Sequence, residues 1–301
     1  SLNDKGLWGN GSIAYLTSTS TSEDYMFFPD SCNAFVKDFE IVEQLTPIEY
    51  PAVKGLNAFL HWIPYEDKMI FRQQELPFTM FNQQSNLKGM LLLTPQDLKG
   101  AGTMSFEDAE MQSKMYTFKQ SDIFADSADF NLKSTSLGQS AFSTKNYKSH
   151  IDFKERKGQF ASNGGASFVK FPVNQYICLI DQFDWFMDSY EIAIGSAEKE
   201  AEMARYDNLT IRELIDIPLE GSEFISTHPS QDSLSFISTV SSYNLKEFVL
   251  YAEDVKYIRV ADAAIFPTDK RIVINPGAIM NTIPDAKILT NTVTRYHEIY
   301  D

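Results

Sequence analysis

Along most of the chain, apolar and polar residues alternate with a period of two. In the first third this holds for "SIAYL" (12–16), "DYMFF" (24–28), "DFEIV" (38–42), "AFLHWI" (58–63), "KMIFR" (68–72) and "KGMLLLT" (88–94). In the second third "GTMSF" (102–106), "MYTFK" (115–119), "ADFNL" (128–132), "HIDF" (150–153) and "SFVKF" (167–171) repeat it. Side chains two positions apart share one face of a strand, so each segment reads as a half-buried β-strand. Pro, Gly, Asn and Asp fall between them, and such spacing suits sandwiches, jelly rolls or stacked β-coils. The pattern predicts an all-β chain, elongated and built from repeated β-units, with one short helix.

That helix is expected over "GSAEKEAEMARYDN" (195–208), where Ser196 can cap the N-terminus and Glu198 enters the first turn. Ala201, Met203 and Ala204 are good helix formers. "TIRELID" (210–216) is a shorter, ambiguous second candidate. Beyond it the strands are brief: "YIRVA" (257–261), "AAIF" (263–266), "RIVI" (271–274), "AIM" (278–280) and "KILT" (287–290). "AAIFPTDKRIVI" (263–274) reads as a hairpin with Pro267 opening its turn.

Sliding the chain along itself by 91 residues brings "LWGNGSIAY" (7–15) onto "LKGAGTMSF" (98–106). Gly9 meets Gly100, Gly11 meets Gly102, Tyr25 meets Tyr116 and Phe27 meets Phe118. From 7 to 41 there are nine identities in 35 positions. A shift of 89 extends the match, with Asn57, His61, Glu66 and Lys68 falling on Asn146, His150, Glu155 and Lys157. This self-similarity predicts two related β-units, 1–94 and 95–194, followed by a helix and a β-rich segment over 195–301. It also disposes of a phosphate-loop reading of Gly9 and Gly11. A dinucleotide fingerprint needs a third glycine, where Ala14 stands, and a helix to follow. The glycines instead permit close backbone approach within a strand.

Composition narrows the functions. With 26 Lys and Arg against 41 Asp and Glu, the formal charge is −15, which disfavours nucleic acid and anionic membrane surfaces as partners. No apolar run approaches the length of a membrane helix, and no signal peptide is evident. The strand-like end "TNTVTRYHEIYD" (290–301) and the Ser-Leu start suggest a fragment of a longer protein. Cys32 and Cys178 lack metal-ligand spacing, and either one disulfide or two buried thiols fits them.

The segments "ERKGQF" (155–160), "FISTHPSQDSLSF" (224–236) and "YIRVADAAIFP" (257–267) resemble long, uncharacterised β-rich repeat proteins of the bacterial cell envelope. The alternation of A-x-A-x-I units with hydrophobic triplets is also similar to the β-jelly-roll modules of lipopolysaccharide-transport proteins. The resemblance implies an exported or envelope location, with a glycan, a lipid or an envelope protein as partner. It carries no catalytic motif and no cofactor.

One stretch has the composition of a site. "DQFDWFMDSYE" (181–191) places Asp181, Asp184, Asp188 and Glu191 among Trp185, Tyr190 and two phenylalanines. Glycosidases use two carboxylates across the scissile bond, and aromatic rings make platforms for sugars. We therefore take Asp181, Asp184, Trp185, Asp188 and Tyr190 as the candidate ligand-binding residues, with acidic turns beside buried aromatics as the plainer account. Asp122, Asp126 and Asp129 lack the closing Glu of a calcium loop and read as solvated strand edges. His61 and His150 occupy matching positions in the self-alignment, so an architectural role is expected. His228 precedes Pro229 in a loop, and no Gly-x-Ser-x-Gly nucleophile elbow occurs. Asn10 and Asn208 head glycosylation triplets. The expected function is that of a non-catalytic structural or adhesive module. A glycan- or lipid-binding module is the alternative, and a polysaccharide hydrolase comes third.

Overall fold

The computed structural model describes residues 2–3, 6–134, 138–164, 168–195, 206–290 and 292. Most of the helix expected over 195–208, and nearly all of 291–301, lie outside the described residues. The chain is all-β and its strand pairings are antiparallel. Two compact units are formed, one by residues 1–130 with 148–155, the other by 131–147 with 156–301.

The strands of the first unit are β1 (Leu2–Asn3), β2 (Gly6–Tyr15), β3 (Ser18–Phe27), β4 (Cys32–Ile41), β5 (Val53–Ile63) and β6 (Lys68–Arg72). They continue as β7 (Phe78–Met80), β8 (Ser85–Leu93), β9 (Leu98–Phe106) and β10 (Ala109–Phe118); β11 (Asp122–Lys133) and β12 (Ser140–Asp152) have residues in both units. From β2 to β5 each strand pairs with the next. β5 then serves two partners, holding β7 through Val53 and Lys54 and β6 through Phe59–Ile63. β8 gathers those two short strands on one long one and hands on to β9. Alternation works as the sequence implies: Ile41, Leu60, Met69, Phe71, Phe78, Leu87 and Leu91 are fully buried. Phe39 stacks on Phe71 at 3.9 Å and meets Phe78 edge-on at 5.3 Å.

The second unit uses β13 (Lys157–Ser162), β14 (Val169–Phe171), β15 (Tyr176–Leu179), β16 (Gln182–Phe186), β17 (Glu191–Gly195) and β18 (Ser222–Ser226). After these come β19 (Ser235–Ser238), β20 (Val240–Asn244), β21 (Val249–Glu253) and β22 (Ile258–Val260). The last are β23 (Ala263–Phe266), β24 (Ile272–Asn275), β25 (Ile279–Met280) and β26 (Lys287–Thr290). Hairpins are laid alternately on two ladders. One runs β12-β14-β15-β18-β19-β22-β23-β26, the other β13-β16-β17-β20-β21-β24-β25. Aromatic side chains meet between the ladders, Phe142 against Phe183 at 5.0 Å and Phe171 against Tyr243 at 4.9 Å.

This alternation corrects the hairpin expected over 263–274. The turn exists, with the Lys270 amide donating to the Pro267 carbonyl. The two strands it joins pair elsewhere, β23 with β22 and β26, β24 with β21 and β25. The turn therefore crosses from one ladder to the other. A short turn specifies a change of direction, but pairing is decided by the ladder that has an open edge.

Helix α1 (Ile211–Asp216) is the one α-helix among the described residues. Thr210 and Glu213 close a capping box, which satisfies donors at its start. Leu214, on its inner face, joins Tyr257, Ala264 and Phe266. Tyr206, Leu209 and Ile217 pack around them. No helix among the described residues is long and apolar enough to cross a membrane.

Residues 91 apart share local geometry. The eight register pairs of β2 with β3 run from Leu7↔Phe27 to Tyr15↔Ser18. Adding 91 to every number reproduces the eight pairs of β9 with β10, from Leu98↔Phe118 to Phe106↔Ala109. Gly11 and Gly102 hold φ of 133° and 127°, and the turn residues Leu16 and Glu107 hold 51° and 49°. The Tyr25 hydroxyl donates to the carbonyl of Ser20 and that of Tyr116 to Met111, each over 2.8 Å. With a shift of 89, Asn57 and Asn146 take φ of 51° and 58°.

Candidate functional site

The acidic aromatic stretch folds as the hairpin β16–β17 and its turn. β16 pairs Asp184 with Gln159 and Trp185 with Gly158. Alternation then sends consecutive side chains to opposite faces. Trp185 goes inward and is 3% exposed, beside the equally buried Phe183 and Met187. Asp184 goes outward, where Lys157 Nζ lies 2.7 Å from its carboxylate. Lys157 also stands 5.1 Å from the Phe186 ring centre.

Asp188 lies in the turn, and Arg156 Nε bridges to it at 2.5 Å. Tyr190 adopts a left-handed backbone with φ of 57° and lies 4.1 Å below the Lys246 ammonium. Asp181 is exposed, and its backbone carbonyl accepts from the Ser162 amide. The structure thus brings Asp184, Asp188 and Tyr190 to the surface of one hairpin, each next to a cation. Trp185 is turned away from them. A sugar platform presents an open ring face, and Trp185 presents none.

The histidines tie strands together. His61 Nδ1 is 2.6 Å from Asn33 Oδ1, its direct cross-strand neighbour. His150 Nε2 is 2.7 Å from Asp122 Oδ1 and stacks on Phe124 at 4.3 Å. Both contacts span 28 residues. His228 Nδ1 accepts from the Ser230 amide and so starts a short 3-10 turn. Asp122 is therefore drawn into a pair. Asp126 and Asp129 lie at exposed positions of β11. Those two, with Lys114 and Met115, line an open hollow of about 500 Å³ in the first unit. Among the described residues no three His, Cys, Asp or Glu side chains gather as metal ligands.

Cys32 and Cys178 are both free and buried. Burial pushes the Cys32 thiol up to about 11. The Cys178 thiol is driven well above its ordinary value by burial and, secondarily, by the charge of Glu223. Both are poor nucleophiles in the folded chain.

The densest ionic cluster was not legible in the sequence. Lys256, its side chain 3% exposed, places Nζ 2.6 Å from both Asp207 and Asp254. Lys270 reaches Asp207 at 2.7 Å. Burial pulls the Lys256 pKa down, but the bonds to Asp207 and Asp254 and their charges outweigh it, leaving a net rise. Asp207 is held below the usual carboxylate range by its bonds to Lys256 and then Lys270. The one available signal is the run from Val255 to Ile258, where a lysine interrupts apolar residues that are buried throughout. Asn174, fully buried, is a second such residue. Its amide donates to the carbonyls of Phe248 and Ile274, fastening two strand ends of the other ladder.

Comparison with protein-family models, with curated proteins and with solved structures found no match to this chain.

Proposed function

We propose that this chain is a non-catalytic structural or adhesive β-rich module, assembled from related β-units, of an exported or cell-envelope protein. The observation that carries the reading is how the chemically capable side chains are used. Trp185 fills the core, Asp184 and Asp188 are bound by Lys157 and Arg156, and His61 and His150 bridge strands. Lys256 is held between two carboxylates, and both thiols are buried. The charged groups and the two histidines each join one strand or turn to another, and the indole and the thiols fill the interior. The recurrence of eight register pairs after 91 residues supports the related units. The envelope location rests on the resemblance of the strand segments.

The test is Trp185→Ala. A module whose aromatic stretch is architectural loses about 3–5 kcal/mol, the usual cost of deleting a buried large aromatic. The loss is read as a lowered unfolding midpoint in urea. A variant that keeps its midpoint but loses a thermal shift with an envelope glycan or lipopolysaccharide would overturn the reading in favour of a ligand site.

A further inference from the structure

Five neighbouring strands of the first unit depart from the composition of the chain. β5, β6, β7, β8 and β9 together hold 37 residues and not one Asp or Glu. At the chain's average of 41 in 301, about five would be expected. Five cations stand there instead: Lys54, Lys68, Arg72, Lys88 and Lys99.

Alternation puts all five on one face. Leu60, Phe71 and Leu91 fill the buried face of these strands, and the cations take the opposite positions. That outer face is also apolar, whereas an antiparallel sheet with one solvated side normally turns polar residues outward. One cross-strand row runs Phe35, Phe59, Arg72, Met90. The next runs His61, Ile70, Leu92, Lys99. Phe35 is 68% exposed and meets Phe59 edge-on at 5.3 Å, and Leu56 on β5 is 53% exposed. Phe59, Ile70, Met90 and Leu92 are half-buried. Aromatic residues, Met and Arg are what protein interfaces concentrate at their centres.

The charges say what the face would accept. Lys54, Lys68 and Lys99 lean on Glu40, Glu66 and Asp97, all from outside the five strands. Arg72 and Lys88 are exposed and, among the described residues, have no ion-pair partner. Arg72 stands between Phe59 and Met90, a setting in which a carboxylate would be held with little competing water. A second copy packed face to face would set these cations against their own kind. A bilayer would have to draw a chain of net charge −15 onto an anionic surface. An acidic protein segment meets the positive face within a Debye length of about 8 Å, where the rest of the chain is screened. Four strands abreast, at about 4.8 Å spacing, span about 14 Å, the footprint of one helix about 10–12 Å across.

We propose that the acid-free outer face of β5–β9 is a docking surface for an acidic amphipathic helix of a partner protein. The helix lays its apolar stripe over Phe35, Phe59, Ile70 and Leu92, and its carboxylates pair with Arg72 and Lys88.

The probe is a fluorescein-labelled 18-residue peptide of Leu, Ala and Glu with its leucines on one helical face. It is titrated into the 301-residue protein and followed by anisotropy. Saturable binding is expected, weakening as salt is raised. Arg72→Glu with Lys88→Glu should weaken it by about tenfold or more, since each reversal turns an attraction into a repulsion. Lys145→Glu with Lys287→Glu changes the net charge equally at exposed positions of the second unit and should leave binding unchanged. Circular dichroism checks both folds; should the first pair misfold, Phe35→Ser replaces it with the same expected loss. No saturable binding, or equal weakening by both pairs, overturns the proposal. So does binding of phosphatidylglycerol vesicles in place of the peptide, or a protein dimer that Arg72→Glu abolishes, because a bilayer or a second copy would then be the occupant.

Discussion

Replacing Gly102 and Gly11 by alanine, one at a time, gives a controlled comparison within one molecule. The two glycines have φ within a few degrees of each other, at 127° and 133°. An L side chain is strained at either position, by about 1–3 kcal/mol for such a sparsely populated region. Their surroundings differ. The new methyl at 102 would sit 2.1 Å from the Lys88 oxygen and 2.9 Å from the Gly89 Cα, both backbone atoms of a paired strand. Relief requires the β8 and β9 backbones to separate, which adds about 1–3 kcal/mol for overpacking. Ladder hydrogen bonds lost on separation add about 0.5–1.5 kcal/mol each. At position 11 the methyl meets nothing. Gly102→Ala is therefore expected to lose about 2 kcal/mol more than Gly11→Ala. Urea unfolding of both variants and the parent, monitored by tryptophan fluorescence, measures the difference. At about 2–4 °C per kcal/mol for a chain of this size, thermal unfolding should show it too. Equal losses would refute the reasoning, because the backbone contact would then contribute nothing.

Two further outcomes follow from the Lys256 cluster and from the buried thiols. Asp207, with its pKa depressed, contributes stability that is complete above the ordinary carboxylate range and disappears as pH falls through its lowered value. Lys256, with its pKa raised, contributes stability complete below the ordinary lysine range and lost as pH rises past it. Lys256→Met should cost about 1–2 kcal/mol at neutral pH, less than a fully buried pair because Lys270 still serves Asp207. It should also flatten the pH dependence of the unfolding midpoint at both extremes; a pH profile unchanged by the substitution would count against the cluster. For the cysteines, a thiol reagent at pH 8 should label neither Cys32 nor Cys178 in the native protein and both in denaturant. Rapid native labelling of Cys178 would contradict its complete burial.

Much of the fold was legible because strands write themselves as alternation. β4, β5, β6, β8 and β9 coincide with runs in which alternate apolar positions, among them Phe39, Leu60, Phe71, Leu91 and Met104, proved to be buried. The first half of β3 was not legible. There the inward positions are Ser18, Ser20 and Ser22, all nearly buried, so the hydropathy signal vanishes. These hydroxyls are satisfied locally, Ser18 donating to the Tyr15 carbonyl and Ser22 to that of Phe35. The capping box at Thr210 and Glu213 is written in four consecutive letters, whereas the pairing of β23 and β24 depends on strands far away in sequence. At the candidate site the sequence showed which residues cluster but not which face each takes. One residue of register decides whether Trp185 or Asp184 points inward, and that is set by pairing with β13.

The alternating ladders of the second unit have a mechanical corollary. From β13 onward, among the described residues, each strand bonds either to the next strand or to the one three places along, and to none farther ahead. The widest of these contacts, Glu191 with Asn244, spans about fifty residues and none reaches across the whole unit, so the unit has fairly local topology for a β-protein and should assemble one hairpin at a time. The order also reads backwards. A pull or a processive protease acting from the C-terminal end meets the hairpins in sequence, each released without disturbing those before it. Under force this unit should yield in a series of small, similar steps rather than in one cooperative rupture.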